Sequence, residues 1–202
     1  MNLIVLTAPS GAGKTTLARR VMEEVPGLRF SVSATTRPPR ERERDGVDYF
    51  FLSLGEFNER IEAGDFVEFE EVYPGRFYGT LASQLEASAQ EASGEGGAVV
   101  LDIDVKGALN VKRLFGTDAL TLFVAPPSLE ELEERLRHRG TETEDRIRVR
   151  LERAEMEMGH APHFDRVVVN DDLDRAVEEA VGVVRGFLAR SESAEAASGA
   201  AS

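Results

Sequence analysis

The chain has 202 residues, a formal net charge of −13 at pH 7, no cysteine and three histidines. That length accommodates one α/β core with small inserted lobes, and the lack of thiols excludes disulfides, thiolate metal sites and cysteine nucleophiles. Strong acidity argues against generic binding to nucleic acid or anionic membrane, no histidine pair has zinc-helix spacing, and no apolar run is long enough to cross a bilayer. A cytoplasmic protein without a protein-ligated transition metal is expected.

The first element, Leu3 to Thr7, reads as a buried parallel strand. It runs into Ala8-Pro9-Ser10-Gly11-Ala12-Gly13-Lys14-Thr15-Thr16 and then a helical pattern to Glu24. A glycine-rich turn between a buried strand and a helix start points backbone N–H groups inward. Lys14 adds a point charge and Thr15 a hydroxyl for Mg²⁺, so this junction reads as a phosphate-binding loop for ATP. The strict pattern opens with glycine where this chain has Ala8, and a methyl fits there if φ stays negative.

Residues 33–80 break the helical rhythm. They are rich in Phe and Tyr, with strand-like segments at Asp48–Leu52 and Asp65–Phe69, and they predict an inserted small β-containing lobe. Strands at Ala98–Ile103, Leu120–Val124 and Arg166–Val169 follow, with helices at Val105–Phe115, Ser128–His138 and Asp172–Leu188. Ser128 with Glu131 forms a capping-box pattern. Residues 137–150, polar and arginine-rich around Gly140, predict a lid leading into a further helix. The expectation is a doubly wound α/β fold with a three-layer core and parallel sheet (residues 1–32, 81–136 and 151–190), the lobe and a helical lid. Residues 191–202 are expected to be a disordered tail.

Phe30-Ser-Val-Ser-Ala-Thr-Thr-Arg-Pro-Pro-Arg40, Gly46-Val-Asp-Tyr-Phe50, Phe77-Tyr-Gly-Thr80, Leu101-Asp-Ile-Asp104, Arg139-Gly-Thr-Glu-Thr-Glu144 and Val169-Asn-Asp-Asp-Leu173 occur in this order. Together with the phosphate loop they resemble the guanylate kinase family over roughly residues 1 to 190. The resemblance implies a P-loop NTPase-type core, a lobe that binds GMP or dGMP, a closing lid, and Mg²⁺-dependent transfer of a phosphoryl group from ATP. It implies a monomer or weak homo-oligomer acting on small nucleotides.

By the same resemblance Ser33, Glu68, Thr80 and Asp104 read guanine. The chemistry agrees, because the N1–H and exocyclic amine of guanine are donors and O6 is an acceptor. Taken alone, Glu68 also reads as an ordinary solvated strand residue. Arg37, Arg40, Tyr49 and Tyr78 match the cradle for the acceptor phosphate, with Pro38 and Pro39 holding the two arginine forks apart. Lys14 and the loop amides hold the donor phosphates, Thr15 binds Mg²⁺, and Asp102 orients metal-bound water. The resemblance also implies that Arg139 and Arg150 descend with the lid onto the transferring group. Asn170 and Asp171 match positions near the donor adenine, although by themselves they read as a turn and cap before the last helix.

The pattern is broken at Ala8, at Lys106 (usually Gln), at Phe69 (often Trp) and in Glu71–Arg76, which is about one residue longer than usual. Lys106 is placed to pair with Asp104 or to strengthen phosphate binding. Two rival readings stay open: a P-loop kinase for another small acceptor, and an interaction module that has lost catalysis.

Overall fold

The computed structural model describes residues 1–92, 97–138 and 143–199, the last six as backbone alone. Five strands form one parallel sheet in the order β2-β7-β1-β8-β9: β1 (Asn2–Thr7), β2 (Leu28–Phe30), β7 (Ala98–Asp102), β8 (Ala119–Ala125) and β9 (Arg166–Val169). Alternation along β1 explains the layering. Ile4 and Leu6 face a cluster with Leu17 and Val21 of α1 (Lys14–Glu24) and with Val177, Val181 and Val184 of α7 (Leu173–Gly199). Leu3 and Val5 face the opposite cluster, with Leu85 of α3 (Ala82–Glu91) and Val105, Ala108 and Val111 of α4 (Val105–Phe115). Both faces of the sheet are therefore covered, which is why its strands read as unbroken apolar runs.

The lobe is a second sheet in the order β4-β3-β6-β5, from β3 (Ala34–Thr35), β4 (Phe50–Phe51), β5 (Phe66–Tyr73) and β6 (Arg76–Leu81). Its own core centres on Phe57, fully buried on α2 (Leu54–Ala63) and stacked on Phe66 at 4.4 Å between ring centres. The helix α2 is absent from the elements expected above, although Ser53 and Glu56 form a complete capping box at its start. So are β2 and α3. A three-residue strand is too short to show a period, and α3 has no side-chain cap.

The helix α5 (Leu129–His138) begins with Ser128 accepting from the Glu131 N–H at 3.2 Å. The helix α6 (Glu144–Gly159) passes unbroken through residue 150, where the expected lid ends. Ile147, Leu151 and Ala154 pack on Leu132 and Leu136 of α5. Among the described residues α7 continues past Arg190 to Gly199. The added segment is rich in Ala and Glu, strong helix formers, and propagating an existing helix avoids the cost of nucleation. Ser191 and Ser193 hydroxyls bond back to the carbonyls of Phe187 and Ala189 on that continuation.

Candidate active site

The glycine-rich loop, Asp102 and Asn170 lie at the carboxyl ends of β1, β7 and β9, in a sheet whose strand order reverses about β1. β1 delivers Thr7 to the glycine-rich loop. Gly11 and Gly13 take φ of 101° and 93°, a left-handed backbone that only glycine adopts without strain. Among the described residues no non-glycine has positive φ, so Ala8 keeps an ordinary backbone and packs on the core. Gly13 caps α1 without any side-chain bond, leaving first-turn N–H groups for an anion.

Asn170, 7% exposed at the end of β9, lies beneath this loop. Its Nδ2 donates to the Ala12 carbonyl at 2.7 Å, and its own carbonyl accepts from Arg135 at 3.0 Å. A Cβ on Gly13 would sit 2.3 Å from that Nδ2. Asn170 thus braces the loop from below. Asp171 is engaged by Arg175, and Asp172 is the residue that caps the last helix, accepting from the Arg175 N–H at 3.0 Å.

Lys14 is ion-paired with Asp102 at the end of β7 and also donates to the Ile103 carbonyl at 3.0 Å. Thr15 and Thr16 are exposed on the first turn of α1, and Arg150 donates from Nη1 to the hydroxyl of Ser10. Arg139 lies outside the described residues.

In the lobe, Glu68 on β5 and Thr80 on β6 are register partners, and the threonine hydroxyl donates to Glu68 Oε1 at 2.7 Å. Glu68 is 5% exposed, which removes the solvated-strand reading. Burial pushes its carboxyl up to about 7; the Thr80 hydrogen bond opposes that and the nearby Asp104 adds to it. The carboxylate is packed so closely on α4 that a Cβ on Gly107 would meet Glu68 Oε2 at 2.4 Å. Asp104 caps α4, its Oδ1 accepting from Lys106 N at 2.8 Å and Gly107 N at 3.1 Å. Ser33 is buried at the start of β3. Lys106 reaches Glu70 at 2.6 Å, so its charge is directed to β5 and not to Asp104.

The expected phosphate cradle holds a residue that sequence reasoning missed. Arg37, 7% exposed, places Nη1 and Nη2 on the two carboxylate oxygens of Glu43, each at 2.6 Å. Its guanidinium lies 4.9 Å from the Tyr49 ring centre and 5.6 Å from that of Phe51. Glu43 also accepts from the Arg40 N–H at 2.8 Å, while the Arg40 side chain stays 73% exposed. The spacing of the two arginines is therefore set by Glu43 as well as by the intervening prolines. The Glu43 carboxyl is held below its usual range by Arg37, and the Arg37 guanidinium is raised chiefly by Glu43. Tyr49 meets Tyr78 edge to face at 6.0 Å, and burial pushes the Tyr49 hydroxyl up to about 12. The available signal was Glu43 among Arg37, Arg40, Arg42 and Arg44, masked by Glu41 beside it and by the many other Glu residues of this chain.

The sequence matches the guanylate kinase family over residues 1–185. It is 62% identical over 187 residues to a guanylate kinase of Salinibacter ruber, covering 93% of this chain and 97% of that protein. It is 50% identical to a guanylate kinase of Chlorobium luteolum, covering 92% of each. The crystal structure of guanylate kinase from Anaplasma phagocytophilum superposes with a TM-score of 0.73 at 30% identity, covering 92% of this chain and 85% of that one. With that match over most of its length and relatives this similar, this chain belongs to the guanylate kinase family.

Proposed function

We infer that this chain transfers the γ-phosphoryl group of ATP to GMP, giving ADP and GDP. The observation that carries the reading is Glu68, a buried carboxylate bonded to Thr80 and packed against the start of α4. Such a group pairs with the N1–H and amine of guanine, whereas adenine would present a lone pair to it. Ser33 and Asp104 complete the base site, to which dGMP presents the same base. Arg37, Arg40, Tyr49 and Tyr78 receive the acceptor phosphate.

On the donor side, residues Ala8 to Thr16 wrap the ATP phosphates, and Asn170 and Asp171 border the nucleotide. Lys14 exchanges Asp102 for the phosphates when ATP enters. Thr15 and Asp102 offer hard oxygen donors beside the loop and fit Mg²⁺, the carboxylate acting through water. A Mg²⁺ held by these two residues would offset negative charge on the nucleotide phosphates. The GMP phosphate is itself the nucleophile, so the side chains need only align it and offset charge, with Arg139 and Arg150 on the transferring group. Closure excludes water and limits ATP hydrolysis.

This activity places the protein in purine nucleotide recycling in the cytoplasm. Among the described residues no helix is long and apolar enough to cross a membrane. The test is an ADP-release assay with MgATP and GMP, dGMP, AMP, CMP, UMP or no acceptor. Turnover confined to guanine nucleotides supports the reading, and turnover with another acceptor overturns the role of Glu68.

A further inference from the structure

The hairpin joining β5 to β6 carries a feature the transfer chemistry leaves unused. Glu71 faces Phe77 and Tyr73 faces Arg76, which leaves Val72 at a register shift, as in a β-bulge. This bulge lies within the Glu71–Arg76 segment. Arg153 on α6 donates from Nη1 to the Val72 carbonyl, and its guanidinium lies 4.9 Å from the Tyr73 ring centre. Glu157, one turn further on, accepts from Nε at 2.6 Å and fixes the guanidinium plane. Arg150 precedes Arg153 by one turn on the same face of α6 and reaches Ser10 in the phosphate loop. One helix therefore grips the donor loop with one arginine and the acceptor lobe with the next.

A second tie joins the same strand to the core through Lys106 and Glu70, but Lys106 is 71% exposed and such a pair is weak. The Arg153 side chain is 23% exposed and combines a hydrogen bond, a ring contact and a held ion pair.

We propose that Arg153 is a positioning residue that couples the acceptor lobe to the donor site, so that movement of the β5–β6 hairpin on GMP binding is passed through α6 to Arg150. The proposal rests on the reading of Arg150 as a group that meets the transferring phosphoryl. None of the residues assigned to GMP takes part in the strap, so cutting it leaves binary GMP binding intact and removes the communication. By reciprocity, ATP and GMP then cease to strengthen each other's binding.

The test uses the full chain and calorimetric titration of GMP with and without a non-hydrolysable ATP analogue plus Mg²⁺. The wild-type protein is expected to bind GMP about fivefold or more tightly when the analogue is present. In Arg153→Met and Tyr73→Leu that factor falls to near one, kcat falls on the order of tenfold, and binary GMP affinity stays within about twofold. Tyr73→Phe keeps the ring and retains the coupling. Hydrogen exchange at the Val72 and Tyr73 amides, faster in Arg153→Met, reads the strap without any reference to turnover. A wild-type protein without coupling, variants that keep it, or a loss of binary GMP affinity that matches the loss of kcat overturns the proposal. A wild-type protein that fails to phosphorylate GMP instead overturns the activity, and the exchange measurement still decides whether the strap exists.

Discussion

Both Nη atoms of Arg37 rest on the carboxylate of Glu43 at 2.6 Å, in a side-chain pair almost closed to solvent. The fork is therefore oriented before any phosphate arrives. Glu43→Ala leaves a buried guanidinium without its partner and frees its plane to rotate. GMP should then bind about tenfold or more weakly, consistent with the loss of a hydrogen bond to a charged group, while the KM for ATP stays near wild type. Steady-state kinetics check this, and unchanged GMP affinity would remove Glu43 from the cradle.

Gly107 is required by the acceptor site and not by helix geometry. A methyl placed 2.4 Å from Glu68 Oε2 must displace the carboxylate. Gly107→Ala gains up to about 1 kcal/mol in helix propensity, yet the KM for GMP should rise about tenfold or more. Kinetics with GMP varied at saturating ATP, beside a urea melt, separate the two effects.

Burial sets the pH response of Glu68. Its folded-state value of about 7 lies above the 4.5 of the free side chain, so the folded protein binds the extra proton between those limits. Stability contributed by this group is present below pH 4.5 and declines as pH rises toward 7, by about 3 kcal/mol in total. Guanine recognition runs the other way, because the ionised carboxylate accepts both guanine donors. The apparent GMP affinity should fall about tenfold per pH unit below 7 and be flat above it. Glu68→Gln should lose that break and retain only the titration of the GMP phosphate itself, as calorimetry from pH 5.5 to 8 would reveal.

Asn170 is placed as a brace for the phosphate loop. Removing its amide leaves the Ala12 carbonyl unpaired and withdraws support from Gly13. Asn170→Ala should cost about 1–3 kcal/mol in a denaturant melt and raise the KM for ATP and for GTP as donors alike. A selective loss of ATP over GTP would indicate direct contact with the adenine ring.

Lys14→Met should lower kcat by about 100-fold or more with the fold intact, since the lysine acts on charge in the transition state. Arg139→Ala and Arg150→Ala should lower kcat more than either KM. An effect confined to the KM for GMP would move either arginine to the acceptor site.

Local grammar carried much of this. An apolar strand running into Gly11-x-Gly13-Lys14-Thr15 specifies a phosphate loop by backbone freedom and charge alone, and the observed φ angles at both glycines follow from it. The alternating apolar strands and helices likewise specified a sheet covered on both faces. The amino-acid sequence by itself therefore determined the fold class and the glycine-rich turn that opens α1. Tertiary structure alone decided which groups meet. It buried Glu68 against Gly107, turned Lys106 to Glu70, locked Arg37 on Glu43, and brought Asn170 across 158 residues to the Ala12 carbonyl. Periodicity records which face of an element is apolar, but the partner of a charge or an amide depends on the crossing of distant elements, and no local pattern contains that.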